Sequence, residues 1–253
     1  MKAKFTTRSL GRAPRVLLAA GALLAAQSGF AGIAGTAHDF SLATNSSSYQ
    51  TGTKTTQFAT STCTACHTPH GGAAVSTAPA WARTVNTKTY KTYQSSTFNK
   101  GTAAAQPGPS SLLCLSCHDG AQALNTYTGS TYTTAQYINP GNRTAGGTSG
   151  AGTDVSGTHP IGFDYSAVIT ADGRASAYKV ATSAVTVGSG TMTKAGTFAA
   201  VLLRPSSTSG PTMECESCHD VHATYSDQVS PKGLLLQVNG STGAQICSAC
   251  HNF

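Results

Sequence analysis

Eight cysteines and eight histidines are the residues of this 253-residue chain best suited to chemistry. Every cysteine belongs to a five-residue signature, Cys-x-x-Cys-His, that occurs four times. It comprises Cys63, Cys66 and His67, then Cys114, Cys117 and His118, then Cys215, Cys218 and His219, and finally Cys247, Cys250 and His251. Two sulfurs three residues apart, followed at once by an imidazole, form the attachment sequence of c-type haem. The thiols add to the two vinyl groups on one porphyrin edge, and the adjacent histidine is held beneath the iron. Histidine fills 8 of 253 positions, so chance would place it after all four pairs about once in a million such chains. Two other readings compete. Disulfides suit an exported chain but do not call for histidine. Zinc takes four Cys/His ligands, yet the gaps between these pairs are long for a zinc ribbon, and zinc does not need histidine after every pair.

The ligand count sharpens the expectation. A haem iron has two axial positions, so four haems need eight ligands. His67, His118, His219 and His251 lie in the signatures; His38, His70, His159 and His222 lie outside them. The match predicts four bis-histidine irons. Methionine is the rival ligand. Met1 falls in a basic leader, Met192 in a weakly alternating segment, and Met213 just ahead of the third signature, where packing is the simpler role. His70 and His222 each follow a signature histidine by three residues. That is too close to loop round the same ring but well placed to reach a neighbouring one. Pro160 biases His159 toward extended backbone, which projects its side chain outward. The spacing suggests His70 for the second haem, His159 for the third and His222 for the fourth, with His38 capping the first in its own or an adjacent copy. Filling both axial positions leaves no seat for a substrate. The chain is therefore expected to carry electrons and not to be an enzyme, with no catalytic residues. It has no nucleotide-binding glycine loop and no nucleophile elbow.

The elements that must position these residues are sparse. Residues 1–31 read as a signal peptide: Lys2, Lys4, Arg8, Arg12 and Arg15 precede an apolar run from Val16 to Ala26, with cleavage expected after Ala31. The run is short for a bilayer span, and no later segment is a candidate, so no membrane span is expected after processing. The formal charge of +7 then misleads: without the five leader cations, eleven basic residues face nine acids, or +2. Nothing there calls for nucleic acid. Residues 32–253 are expected to form a single tetrahaem domain. Leu, Ile, Val and Phe total only 40 of 253 residues, below what a conventional core uses, so the porphyrins are expected to replace it and the haem-free chain to be largely unfolded. The fold class is mostly irregular and loop-rich, with few short helices, mainly on the signatures, and small β-hairpins around a stack of four haems. A hairpin is expected within 175–203. Trp81, the sole tryptophan, reads as packing.

In order, the chain reads HDFS, CTACHTPHG, LCLSCHDG, HPIGFDY, MECESCHDVH and CSACH. This order resembles the tetrahaem cytochromes that polymerise into extracellular conductive filaments, the OmcE-like outer-surface cytochromes. The resemblance implies a continuous haem stack and a secreted, cell-surface location. It also implies assembly with further copies of the same chain and electron export to partner proteins or minerals. A soluble periplasmic tetrahaem shuttle is the alternative, and a multihaem reductase is disfavoured by the ligand count.

Overall fold

The computed structural model describes residues 33, 36, 38–41, 61–75, 77–98, 106–131, 134–139, 143, 152–189, 192–206, 210–222 and 244–252. All belong to the unit Gly32–Phe253; the expected signal peptide lies outside them.

Regular structure comes in short pieces. Strands β1 (Ala73–Val75) and β2 (Ala78–Trp81) pair antiparallel directly after the first signature, with Ala73 opposite Trp81. Helix α1 (Pro109–His118) carries the second signature. Its start is set by Pro109, whose missing N–H is no loss in a first turn. Strand β3 (Phe163–Asp164) pairs with β6 (Thr212–Met213), Phe163 opposite Met213. Between them come α2 (Tyr165–Asp172), the β4 (Ala184–Ser189) and β5 (Met192–Thr197) hairpin, and α3 (Phe198–Leu202). Helices α4 (Cys215–Cys218) and α5 (Ala244–Ser248) begin the third signature and enter the fourth.

Local chemistry explains the boundaries. The Asp164 carboxylate accepts from Ala167 N at 3.0 Å and from Gly210 N at 2.5 Å, capping α2 while tying it to the approach to β6. Gly173, at φ 70°, ends α2 in the left-handed conformation. Thr197 Oγ1 accepts from Ala200 N at 3.3 Å and starts α3. The hairpin thus occupies only 184–197 of the segment read as weakly alternating. Beyond it Phe198, Val201 and Leu202 follow helical spacing and are buried. Of the five described α-helices, α1, α4 and α5 carry signature residues, and α2 and α3 do not.

The composition-based expectation of no conventional core is corrected for one region. Phe163, Tyr165, Val168, Ile169, Val187, Phe198, Val201, Leu202, Leu203 and Met213 form a buried apolar cluster. Tyr165 and Phe198 rings lie 4.7 Å apart at its centre. The physical reason is uneven distribution. Eleven of the Leu, Ile, Val and Phe residues fall within 161–213, against nine in the hundred residues 61–160. Two smaller clusters serve the earlier part. Phe40, Ala65, Leu124 and Ile138 form one, and Tyr90, Leu115 and Val155 the other. Among the described residues no helix is long and apolar enough to cross a membrane.

Candidate functional site

Each signature folds as one helical turn. The backbone N–H of His67 donates to Cys63 O at 2.9 Å, that of His219 to Cys215 O at 3.0 Å, and that of His251 to Cys247 O at 2.9 Å. The second signature has the same geometry inside α1. Residues three and four positions apart share one face of such a turn, so both cysteines and the histidine of each signature present together.

The first and fourth turns are docked in the same manner, on an aromatic residue. His67 makes an antiparallel bridge with Trp81, and His251 one with Tyr178. The His67 ring stands edge-on to Trp81 at 6.0 Å, and His251 lies 5.1 Å from Tyr178. Around His67, Thr68 N donates to Ala80 O at 2.9 Å and Ala82 N to Cys66 O at 2.8 Å. Ala80 adopts φ 52°, the one non-glycine with positive φ among the described residues. Its neighbour Pro79 turns its carbonyl onto His67 Nδ1 at 2.9 Å. With Nδ1–H donating there, the tautomer is fixed and Nε2 is the nitrogen left to ligate. At the fourth turn, Lys179 N donates to Cys250 O at 2.8 Å and Asn252 N to Ala177 O at 2.9 Å. The Tyr165 hydroxyl donates to Lys179 O at 2.9 Å and to Cys250 O at 3.3 Å, linking this turn to the apolar cluster.

The second turn is framed by buried charge. Asp119, directly after His118, is fully buried. Its carboxylate accepts from Asn86 Nδ2 and the Tyr90 hydroxyl at 2.8 Å, from Lys88 Nζ at 3.2 Å, and from Ala121 N at 2.6 Å. Arg83, also buried, donates to Ala65 O at 2.7 Å inside the first turn. It also donates to Ala123 O at 3.0 Å, Thr126 O at 3.3 Å and Leu124 O after the second. One guanidinium thus ties the first attachment turn to the loop leaving the second. Neither residue carries a sequence signal. Asp119 merely follows a signature, and Arg83 lies in a polar stretch without periodicity.

The structure brings the histidines together in a different order from the one expected. His222 lies beside His67, ring centres 6.2 Å apart and planes within 23°. His38 lies 6.0 Å from His118, within one chain. His159 is close enough to His251 to depress its pKa, after the larger effect of burial. These contacts set other neighbours beside the expected assignment of His222 to the fourth signature, His38 to the first and His159 to the third. His70 is exposed, its carbonyl accepting from Thr68 Oγ1 at 2.9 Å.

These positions fit bis-imidazole ligation. With metal–imidazole bonds of about 2 Å and ring centres about 1 Å beyond each nitrogen, two histidines sharing an iron have centres about 6 Å apart. His38 Nδ1 is buried with no hydrogen-bond partner, a condition a buried polar atom reaches mainly where it has a metal or water to meet. Burial, then the nearby His118, His219 and His222, pushes the His38 pKa down to about 4, favouring the neutral ring a ligand must be. Trp81 Nε1 is likewise enclosed without a partner beside His67, where a donor suits a haem carboxylate.

All eight cysteines are described and none is in a disulfide. No three His, Cys, Asp or Glu side chains converge as a metal cluster among the described residues. Burial pushes Cys66 and Cys218 up to about 11 and Cys250 to about 12. Burial also raises Cys117. The neighbouring Cys215 side chain, then burial, raises Cys114, while the Cys114 side chain lowers Cys215.

The chain matches no protein-family model, and no curated protein is similar to it in sequence.

Proposed function

We propose that the chain attaches four c-type haems and carries electrons along them without transforming a substrate. The observation that supports this most directly is the pair of histidine contacts, His67 with His222 and His38 with His118, at the spacing of two imidazoles on one metal. Cysteines 63 and 66, 114 and 117, 215 and 218, and 247 and 250 anchor the rings. His67, His118, His219 and His251 ligate from the attachment side. Bound haem supplies one-electron redox chemistry at iron, and histidine on both faces favours a low potential relative to methionine.

The histidine contacts support one assignment of distal ligands: His222 serves the first signature, His38 the second in its own chain, and His159 the fourth. His70 then falls to His219 by elimination, which would make the two His-x-x-His segments reciprocal. The Pro79 carbonyl holds the His67 ring in place. The motif order resembles that of filament-forming tetrahaem cytochromes and extends the proposal to a secreted subunit that polymerises with copies of itself.

Four covalent haems per chain by mass spectrometry, all low-spin, and a reduced protein that does not bind carbon monoxide are the expected results. Fewer haems or a high-spin iron in the wild type overturns the reading. His222→Ala is expected to open the iron attached at Cys63 and Cys66, producing one high-spin signal in four. If the opened iron belongs to the fourth signature, the pairing is wrong. Electron microscopy of the secreted fraction tests polymerisation; particles of one chain only would favour a soluble shuttle.

A further inference from the structure

The third attachment turn is tied to the second by buried polar contacts. They centre on one buried carboxylate. Glu214, the residue before Cys215, is 2 % exposed, and its partner Ser111 on α1 is 0 % exposed. The carboxylate accepts from Gly108 N, at 3.0 Å to Oε2 and 3.2 Å to Oε1, and from the Ser111 hydroxyl. It therefore satisfies a free donor at the N-terminus of the helix that bears Cys114, Cys117 and His118. Ser111 Oγ in turn accepts from Cys215 N at 2.9 Å. On its own side Glu214 N donates to Ser217 Oγ at 2.9 Å and Ser217 N to Glu214 O at 2.9 Å, closing the turn that bears Cys215, Cys218 and His219.

The approach is close by construction. A Cβ on Gly108 would fall 2.5 Å from Glu214 Oε1, so the chain has glycine where the carboxylate meets the helix. Gly162, at φ 76°, lies against the Gln106 carbonyl and donates its N–H to Met213 O at 2.7 Å. Gly162 thus contacts both the segment entering α1 and Met213, the residue before Glu214. The consequence is visible at the sulfurs. Cys114 and Cys215, about a hundred residues apart in sequence, lie close enough for each side chain to influence the other's ionisation, with Cys114 Sγ donating to Ser110 O at 3.7 Å.

We propose that Glu214 is a positioning residue that sets the spacing between the second and third haem attachment sites by capping one attachment helix while forming part of the other. The proposal rests on the haem reading for its function but on the Glu214, Ser111 and Gly108 contacts for its geometry. A carboxylate whose two oxygens are shared by two elements holds them at a fixed separation, whereas apolar packing would allow them to slide. Electron transfer between neighbouring sites depends on that separation.

The test uses the full-length secreted protein. Haem occupancy is read motif by motif by peptide mass spectrometry, and the four reduction steps by spectroelectrochemical titration. Glu214→Ala is expected to lower occupancy at Cys114–His118 and Cys215–His219 at least twofold, or to shift two of the four steps, while Cys63–His67 and Cys247–His251 remain as in the wild type. Glu214→Gln, which keeps one acceptor oxygen, should recover part of the loss. Ser111→Ala, a milder change, should give the same pattern at smaller size and decides the matter if Glu214→Ala does not accumulate. Unchanged occupancy and potentials, or an equal loss at all four motifs, overturns the proposal. If the wild type carries no haem, the functional reading fails by itself. The spacing is then read from the rate at which diamide oxidises Cys114 and Cys215 to a disulfide. Glu214→Ala should slow that reaction at least twofold, and an unchanged rate overturns the proposal.

Discussion

Two regions of this molecule solve the same problem with opposite chemistry. Around 163–213 the chain is held by ordinary apolar burial, centred on Phe198 and Tyr165. Around the first two attachment turns the apolar clusters are small, and the fixed points are buried polar groups: Arg83 on four carbonyls and Asp119 on three side chains and a backbone N–H. Apolar packing is non-directional and tolerates exchange of one hydrocarbon shape for another. A buried guanidinium imposes directions, because each N–H must meet its own acceptor. The polar region therefore defines where backbone carbonyls sit to within a hydrogen-bond length, which suits the role proposed for these segments, presenting sulfurs and imidazoles at set positions. The apolar region provides the mass against which the fourth turn docks through Cys250 and Ala249.

The contrast is open to test by exchanging similar residues. Arg83→Ala would leave several buried carbonyls without donors, at about 1–3 kcal/mol each before relaxation, so a loss of at least about 3 kcal/mol is expected. The informative variant is Arg83→Lys. Lysine keeps the charge but not the planar fork, and we expect it to recover less than half of the loss in a denaturant titration. Near-complete recovery would mean that charge, and not directed hydrogen bonding, is what matters here.

In the apolar region the expected ordering reverses. Phe198→Ala empties the centre of the cluster and should cost about 3–5 kcal/mol. Phe198→Leu keeps most of the volume and should cost less than about 1.5 kcal/mol. If leucine at 198 is as damaging as alanine, the cluster is a directed structure like its polar counterpart and the comparison fails.

The sequence and the structure divide along the same line. The four signatures, the sparse helices on α1, α4 and α5, and the hairpin inside 175–203 were legible because each rests on local spacing or periodicity. Their assembly was not. Arg83 finds its acceptors at Ala65 and again 40 residues on, and Glu214 reaches Gly108 across 106 residues, without any pattern around either residue. The contacts between distant histidines were not legible for a related reason. His219 and His222 are only three residues apart, and nothing local reveals that the second ring turns back to His67. The low aliphatic content was a true average that concealed an uneven distribution, and so hid the core at 163–213.

The smallest expected effect probes how far the polar region extends. Lys91 and Asp154 join two strand-like segments by a parallel bridge, with Lys91 N on Thr153 O at 2.7 Å and Val155 N on Lys91 O at 2.9 Å. Their side chains meet at 2.9 Å on the exposed surface. Hydrogen bonds from the Ser156 hydroxyl, then from Lys91, hold the Asp154 pKa down at about 2, below its ordinary 3.8. Because the folded value is the lower one, its contribution to stability is complete above pH 3.8 and is lost as pH falls toward 2. Water and salt screen such a pair, so Asp154→Asn should flatten only a small part of the acid limb of a stability–pH curve and leave the neutral range unchanged. Ser156→Ala removes the first of those hydrogen bonds and should flatten the same limb more than Lys91→Met does. The opposite ranking would make the ion pair, and not the hydroxyl, the element that extends the polar framework to the surface.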